Sequence, residues 1–139
     1  CGIACKKRKI LQRQYMKERD LYSKLNKLIT NTCAVELKIC KGLSLPFSAV
    51  VEHQVRALKI AKHGVLRYKI PDCGYQNPFD IIVLAKVPAF VVIVFYKPRK
   101  PIEFLFIDID VFMQEKEISK RKSLTEETAK KLSTSPFDN

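Results

Sequence analysis

The sequence predicts an α/β domain in which helices flank a mixed or antiparallel β-sheet, with a basic helix at the N-terminus. Apolar segments at residues 79–85, 90–97 and 102–110 are short and lie close together in the chain, as strands of one sheet do. Helical periodicity precedes them at residues 43–62 and follows them at residues 119–132. The 139 residues are enough for one domain with a core.

Positive charge is concentrated near the N-terminus. The chain has 26 Lys and Arg residues against 14 Asp and Glu, a net charge of +12, and residues 1–32 contain nine of the basic and two of the acidic residues. Apolar side chains recur there at helical spacing, namely Leu11, Tyr15, Tyr22, Leu25 and Ile29. The pattern predicts an amphipathic helix from Lys6 to Ile29, which either lies along phosphates or covers a core or dimer face.

Residues 33–133 form the predicted domain, and residues 134–139 a frayed tail. The first strand of the domain spans residues 34–40, and another spans residues 65–70. Ser44 and Pro46 suit the start of the helix at residues 43–62, and Gly64 follows its end. Ser123 and Glu126 have the spacing of a capping box for the closing helix.

Cysteine usage and hydropathy exclude several classes of protein. The five cysteines are odd in number and include no Cys-x-x-Cys pair, so neither a disulfide framework nor a zinc site is indicated. Free thiols favour a reducing cytoplasm. The longest apolar run, Val87 to Tyr96, is about half of a membrane span. Since the first residue is Cys, we expect a processed or trimmed chain.

Hairpin geometry brings two charged side chains together in the predicted sheet. If the link at residues 86–89 is tight, Asp80 lies opposite Phe95 on the neighbouring antiparallel strand. Phe95 and Lys97 share a face, so Asp80 and Lys97 should project from the same side of the sheet. The pair is either an ordinary cross-strand salt bridge or part of an active site, and spacing alone leaves both interpretations open.

Four segments carry a resemblance to a known family: FSAVVEHQVRAL at residues 47–58, YKIPDCG at 68–74, PFDIIVL at 78–84 and VVIVFYKPR at 91–99. Their order and spacing resemble the RecU-type Holliday junction resolvases of the PD-(D/E)XK nuclease superfamily. The resemblance implies a restriction-endonuclease-like sheet flanked by helices, a homodimer, and DNA as the partner. It also implies a Mg²⁺ site in which an Asp heads one strand and a Glu-x-Lys triplet lies on the next.

The resemblance assigns catalytic roles to three residues. Asp80 corresponds to the metal-binding Asp, Lys97 to the lysine of the triplet, and Glu52 to a helix acid. Phe95 stands where the triplet Glu is expected. Asp80 and Glu52 therefore remain as the predicted metal ligands, and the predicted nuclease site is degenerate.

Three functions remain open at this point. The first is a DNA-binding protein that recognises branched or duplex DNA through phosphates, and the second is an active Mg²⁺-dependent endonuclease with an altered site. The third is a structural subunit that binds RNA or protein. The predicted nucleic-acid-binding residues are Lys6, Lys7, Arg8, Lys9, Arg13, Gln54, Lys69, Arg99, Lys100, Arg121 and Lys122.

Overall fold

The computed structural model describes residues 16–71 and 77–137, which form four α-helices and seven strands. The helices are α1 (Glu18–Leu28), α2 (Glu52–His63), α3 (Ile109–Ile118) and α4 (Glu126–Leu132). The strands are β1 (Ala34–Cys40), β2 (Ser44–Pro46), β3 (Val65–Lys69), β4 (Ile81–Ala85), β5 (Ala89–Phe95), β6 (Leu105–Asp108) and β7 (Ser123–Thr125). The α/β class is therefore confirmed.

A mixed sheet of order β1–β5–β6 lies at the centre of the described structure. β5 runs parallel to β1 and antiparallel to β6, where Phe90 pairs with Asp108. β5 carries no charged residue and is buried along most of its length. An uncharged strand of this kind favours a central position, because both of its faces can then pack against apolar layers.

Two apolar layers cover the faces of this sheet. On one face, Leu21 and Leu25 of α1 pack with Leu37, Phe90 and Phe106. On the other face, residues of α2, α3 and α4 pack against Val91, Ile93 and Ile107. The positions that alternate along β5 therefore point to opposite layers, as expected for a strand with period two.

The predicted hairpin between β4 and β5 is wrong. β4 pairs with β3, with Ile81 opposite Lys69, in a separate two-stranded antiparallel sheet. β4 ends at Ala85 because Lys86 takes a positive φ of 51°, after which the chain turns into β5. Since β5 pairs with β1 and β6, the structure does not place Asp80 opposite Phe95.

Tertiary pairing also replaces parts of two predicted helices. Residues 44–46 form β2, which pairs with β7, and Leu45 and Leu124 are buried opposite each other. α2 consequently begins at Glu52, and Gly64 caps its end as expected. The predicted Ser123 capping box is wrong, because Thr125 caps α4 by accepting a hydrogen bond from the Thr128 backbone N–H.

The predicted strand at residues 102–110 is shorter in the structure, and a helix that the sequence pattern did not predict follows it. Asp108 caps this helix, α3, by accepting a hydrogen bond from the backbone N–H of Asp110. Of the predicted N-terminal helix, the described part is α1, with Leu21 and Leu25 buried and Tyr22 exposed. No helix in residues 16–71 and 77–137 is long and apolar enough to cross a membrane.

Candidate functional site

Two charged residues lie on β1, on the face that α2 covers. Strand alternation places Glu36 and Lys38 on the same face as Ala34 and Cys40, which pack in the layer under α2. Their side chains are only 29% and 18% exposed, and Lys38 Nζ lies 3.3 Å from Glu36 Oε1. Because desolvation penalises an unpaired charge, this mutual contact is what makes the positions tolerable.

Gln54, in the first turn of α2, completes this group. Its Nε2 donates a hydrogen bond to Glu36 Oε1 at 3.0 Å. Its own Oε1 accepts from the Val51 backbone N–H at 3.2 Å, so the amide is held at both ends. Glu36, Lys38 and Gln54 are named the β1–α2 cluster below. The start of a helix therefore fixes the position of a carboxylate on the neighbouring strand.

Glu36-Leu37-Lys38 is an intact Glu-x-Lys triplet on a strand, and sequence reasoning missed its significance. The resemblance places the Glu of such a triplet two residues before Lys97, where Phe95 stands. The available signal was the segment AVELKIC itself, which was predicted as a strand and carries both charges two positions apart. Of the predicted site residues, Gln54 alone lies in the β1–α2 cluster.

A groove lies on the face of β1 opposite the side chains of Glu36 and Lys38, where α1 packs. It runs between α1 and β1, and its walls include Tyr22, Asn26, Val35 and Glu36. β1 pairs only with β5 among the described strands, so the groove follows an open edge of the sheet.

Lys97 lies in a different place, just beyond the end of β5. Its Nζ donates to Glu126 Oε2 at 2.8 Å, and Lys130 also pairs with Glu126. The hydrogen bond from Lys97 lowers the pKa of Glu126, and Lys130 adds to this effect while burial opposes it. These side chains line a groove with Phe95 and Lys100. Lys97 is thus engaged by a carboxylate of α4 rather than by one on its own strand.

The two predicted metal ligands contact different partners. Glu52 is 87% exposed and pairs with Arg56 one turn along α2. Asp80 is exposed next to β4, and its backbone carbonyl accepts from the Ile70 N–H. Among the described residues, no group of three His, Cys, Asp or Glu side chains could hold a metal ion. Glu36 is the one carboxylate in the β1–α2 cluster. With a substrate phosphate, it meets only the lower limit of what Mg²⁺ sites use.

A second charged group joins the end of α2 to the start of α3. Lys62 Nζ contacts both Asp108 and Asp110, and His63 Nε2 lies 2.8 Å from Asp110 Oδ2. Partial burial alone would lower the pKa of Lys62, but its hydrogen bonds to the two aspartates outweigh that effect and raise it. The hydrogen bond from Lys62 lowers the pKa of Asp110. Every charged member has an opposite partner, which is typical of a structural ion-pair network.

The predicted phosphate-binding cations lie on several exposed surfaces. Lys69 is on β3, Arg99 and Lys100 are in the turn after β5, and Arg121 and Lys122 precede β7. Arg99 has a positive φ of 65°, so the backbone turns sharply there. The predicted cations Lys6, Lys7, Arg8, Lys9 and Arg13 lie outside the described residues.

Comparison with known proteins adds no assignment, because no family model, curated protein or solved structure matches this chain.

Proposed function

We propose that this protein is a DNA-binding, Mg²⁺-dependent endonuclease whose chemistry is centred on Glu36 and Lys38. The β1–α2 cluster is the observation that carries the proposal. It combines a strand carboxylate, a lysine two residues later and a helix amide that orients the carboxylate. In the RecU-type resolvases that residues 47–99 resemble, a Glu-x-Lys triplet serves phosphodiester cleavage, and we assign that role to Glu36 and Lys38 in place of Phe95 and Lys97. The resemblance extends the proposal to four-way junctions and a homodimer, and we propose a cytoplasmic location.

The residues of the cluster divide the work between them. Bound Mg²⁺ would supply a water of lowered pKa and neutralise charge on the phosphate. Glu36 would provide the carboxylate that holds the ion, and Gln54 keeps one oxygen of that carboxylate in place. The Lys38 ammonium, beside that oxygen, stabilises negative charge as it develops on the phosphate.

Binding of the DNA backbone is assigned to the chain's excess of positive charge. A net charge of +12 attracts a polyanion and makes association strongly dependent on salt. The exposed turn with Arg99 and Lys100 and the loop with Arg121 and Lys122 supply cations on the described surface. Such contacts position the duplex and carry no sequence information.

A second candidate function is DNA binding without cleavage. It is favoured by the single carboxylate of the β1–α2 cluster and by the absence of a three-ligand group among the described residues. In this case the protein would recognise junctions or duplex DNA through phosphates, with a degenerate nuclease site.

A cleavage assay separates these candidates. A labelled four-way junction and a matched duplex are incubated with the protein in Mg²⁺, Mn²⁺ or EDTA. The proposal predicts cleavage that requires the metal and falls by about 100-fold or more in Glu36→Gln, because the variant removes the charge that holds the ion.

The matched control is Glu127→Gln, an isosteric change at a side chain that is 83% exposed. It should cleave at the parental rate, which shows that removing a carboxylate charge elsewhere does not lower activity. The loss in Glu36→Gln then excludes a contaminating nuclease as the source of the cleavage. A junction-selective shift without cleavage would favour the second candidate. If the protein gives neither a shift nor cleavage, both candidate functions are overturned.

A further inference from the structure

The sheet formed by β3 and β4, the β3–β4 ribbon, is apolar and yet exposed. In β4, Ile81, Ile82 and Val83 are 60%, 42% and 53% exposed, although consecutive residues point to opposite faces. Tyr68 and Phe79 nearby are 57% and 62% exposed. An isolated two-stranded hairpin is marginally stable in water, so a ribbon of this composition is expected to gain a third strand or a covering surface.

β4 presents an open edge whose hydrogen-bonding groups can be assigned. The Ile70 N–H donates to the Asp80 carbonyl, and the Lys86 N–H donates to the Gly64 carbonyl. Residues 80 and 86 are therefore hydrogen-bonded positions facing β3, and alternation directs the N–H and C=O groups of Ile81, Val83 and Ala85 to the opposite edge. β4 pairs with β3 alone among the described strands, so this edge can accept another strand.

We propose that β4 pairs antiparallel with β4 of a second copy of this chain, around a two-fold axis at Val83. The inference rests on the homodimer included in the proposed function and assigns its surface. In this register Val83 faces the partner's Val83, and Ile81 faces the partner's Ala85. All of these residues direct their backbone groups to the open edge, so the three facing pairs can exchange about six hydrogen bonds. The two ribbons become one four-stranded sheet.

Charge complementarity favours the same register. In it, Asp80 at one end of β4 lies opposite the partner's Lys86 at the other end, and the two-fold axis repeats the pair. Between these ends β4 carries no charge, so two chains of net charge +12 can approach along it without repulsion between the strands. An identical strand therefore fits this edge in both hydrogen bonding and charge.

Other occupants fit the ribbon less well. DNA requires cations, and β4 has none. The basic segment at residues 1–15 would meet Arg67 and Lys69 on β3, which repel it.

The first test is the molar mass in solution, measured by sedimentation without DNA. The parent is expected to be a dimer at about 0.1 mM. Val83→Lys places two ammonium groups at the axis and should give a monomer, or a dissociation constant raised by at least about 100-fold. Leu43→Lys is the matched control, since Leu43 is 89% exposed and lies away from the ribbon. It should remain a dimer.

A second set of variants tests the register even if Val83→Lys folds poorly. Val83→Cys should form a cross-linked dimer under mild oxidation, at a yield above that of the parent and of Leu43→Cys. Asp80→Lys should weaken the dimer about threefold to tenfold, because like charges then face each other twice. The double change Asp80→Lys with Lys86→Asp should restore it.

Three results would overturn the inference: a monomeric parent at about 0.1 mM, a dimer that Val83→Lys leaves intact, or no increase in cross-linking at Val83→Cys. Because these measurements contain no DNA or metal, their failure is distinct from failure of the proposed nuclease. A monomer that cleaves junctions would reject the ribbon pairing and leave the proposed chemistry standing.

Discussion

The neighbouring parallel strands β1 and β5 are each associated with a lysine: Lys38 stands two residues after Glu36 on β1, and Lys97 stands two residues after Phe95, the last residue of β5. The two lysines have different partners in the structure. On β1, Lys38 meets Glu36 of its own strand, and Gln54 holds the carboxylate. At the end of β5, Lys97 follows Phe95, and its ammonium instead binds Glu126 of α4. A motif position is thus defined by the groups that surround the side chain, and only the β1 triplet has a carboxylate at the spacing the resemblance implies.

The two lysines also differ in burial. Lys38 is 18% exposed, whereas Lys97 is 47% exposed in an open groove. Electrostatic effects are stronger where water is excluded, so a lysine in the β1–α2 cluster can influence bound phosphate more than a lysine at the surface. The difference between the two lysine sites can be tested with variants that change the partners of each lysine.

The largest expected effect in this comparison is on cleavage, when the hydrogen bond from α2 to the β1 carboxylate is removed. Gln54→Met removes the hydrogen bond to Glu36 and keeps a side chain of similar length. We expect a fall in the metal-dependent cleavage rate of about 10-fold to 100-fold, in line with the loss of groups that orient a metal ligand.

Stability measurements separate this positioning role from a loss of folding. Gln54→Met also loses the bond from the Val51 N–H, which should lower the free energy of unfolding by about 1 kcal/mol. Higher Mg²⁺ should recover part of the rate if Gln54 acts by orienting the metal ligand. If Gln54→Met cleaves at the parental rate at every Mg²⁺ concentration, Gln54 plays no part in the chemistry.

The Lys97 side of the comparison predicts a pH-dependent contribution to stability. Because the folded-state pKa of Glu126 is lowered, its ion pair stabilises the protein above the unfolded value of 4.5, and this contribution is lost as the pH falls through the lowered pKa. At pH 7, Glu126→Gln should be about 0.5–1 kcal/mol less stable than the parent.

Urea denaturation at several pH values measures this difference. It should shrink as the pH falls below the unfolded value of 4.5 and through the lowered pKa of Glu126 in the parent, where this carboxylate becomes protonated. Glu127→Gln is the comparison variant, since its pair with Lys131 is largely exposed. A difference between parent and Glu126→Gln that stayed constant down to pH 2 would contradict the role of this ion pair.

The smallest expected effect concerns the exposed cations outside both lysine sites. Arg121→Ala combined with Lys122→Ala should weaken DNA binding severalfold and reduce the slope of log affinity against log salt by about two. Fluorescence anisotropy between 50 and 200 mM salt measures the slope. An unchanged slope would place the phosphate contacts elsewhere on the protein.

The sequence predicts the central parts of the fold better than its margins. β1, β3 and β5 are found close to their predicted positions, because apolar β-branched runs and Gly64 mark them locally. β2 and β7 were predicted as helix, since three-residue strands that form by mutual pairing leave no periodic signal. One of the two partners of β5 was also predicted wrongly, because nearness in sequence favoured β4 over the distant β1.

The candidate site shows the same division. Gln54 was identified from the segment around α2, while Glu36 and Lys38 were not, although both stand on a strand that was predicted. Their significance depends on α2 folding back over β1, a contact between residues 18 positions apart that local pattern does not reveal. Lys97 was assigned by the resemblance, and its predicted place beside Asp80 requires a hairpin between β4 and β5 that does not form.

The measurement that tests the central claim most directly is single-turnover cleavage of a four-way junction in Mg²⁺ by Lys38→Met and Lys97→Met, side by side. We predict that Lys38→Met loses about 100-fold or more in rate while still binding the junction, and that Lys97→Met stays within about threefold of the parent. A large loss in Lys97→Met together with a normal rate in Lys38→Met would contradict the account and return the active site to the end of β5.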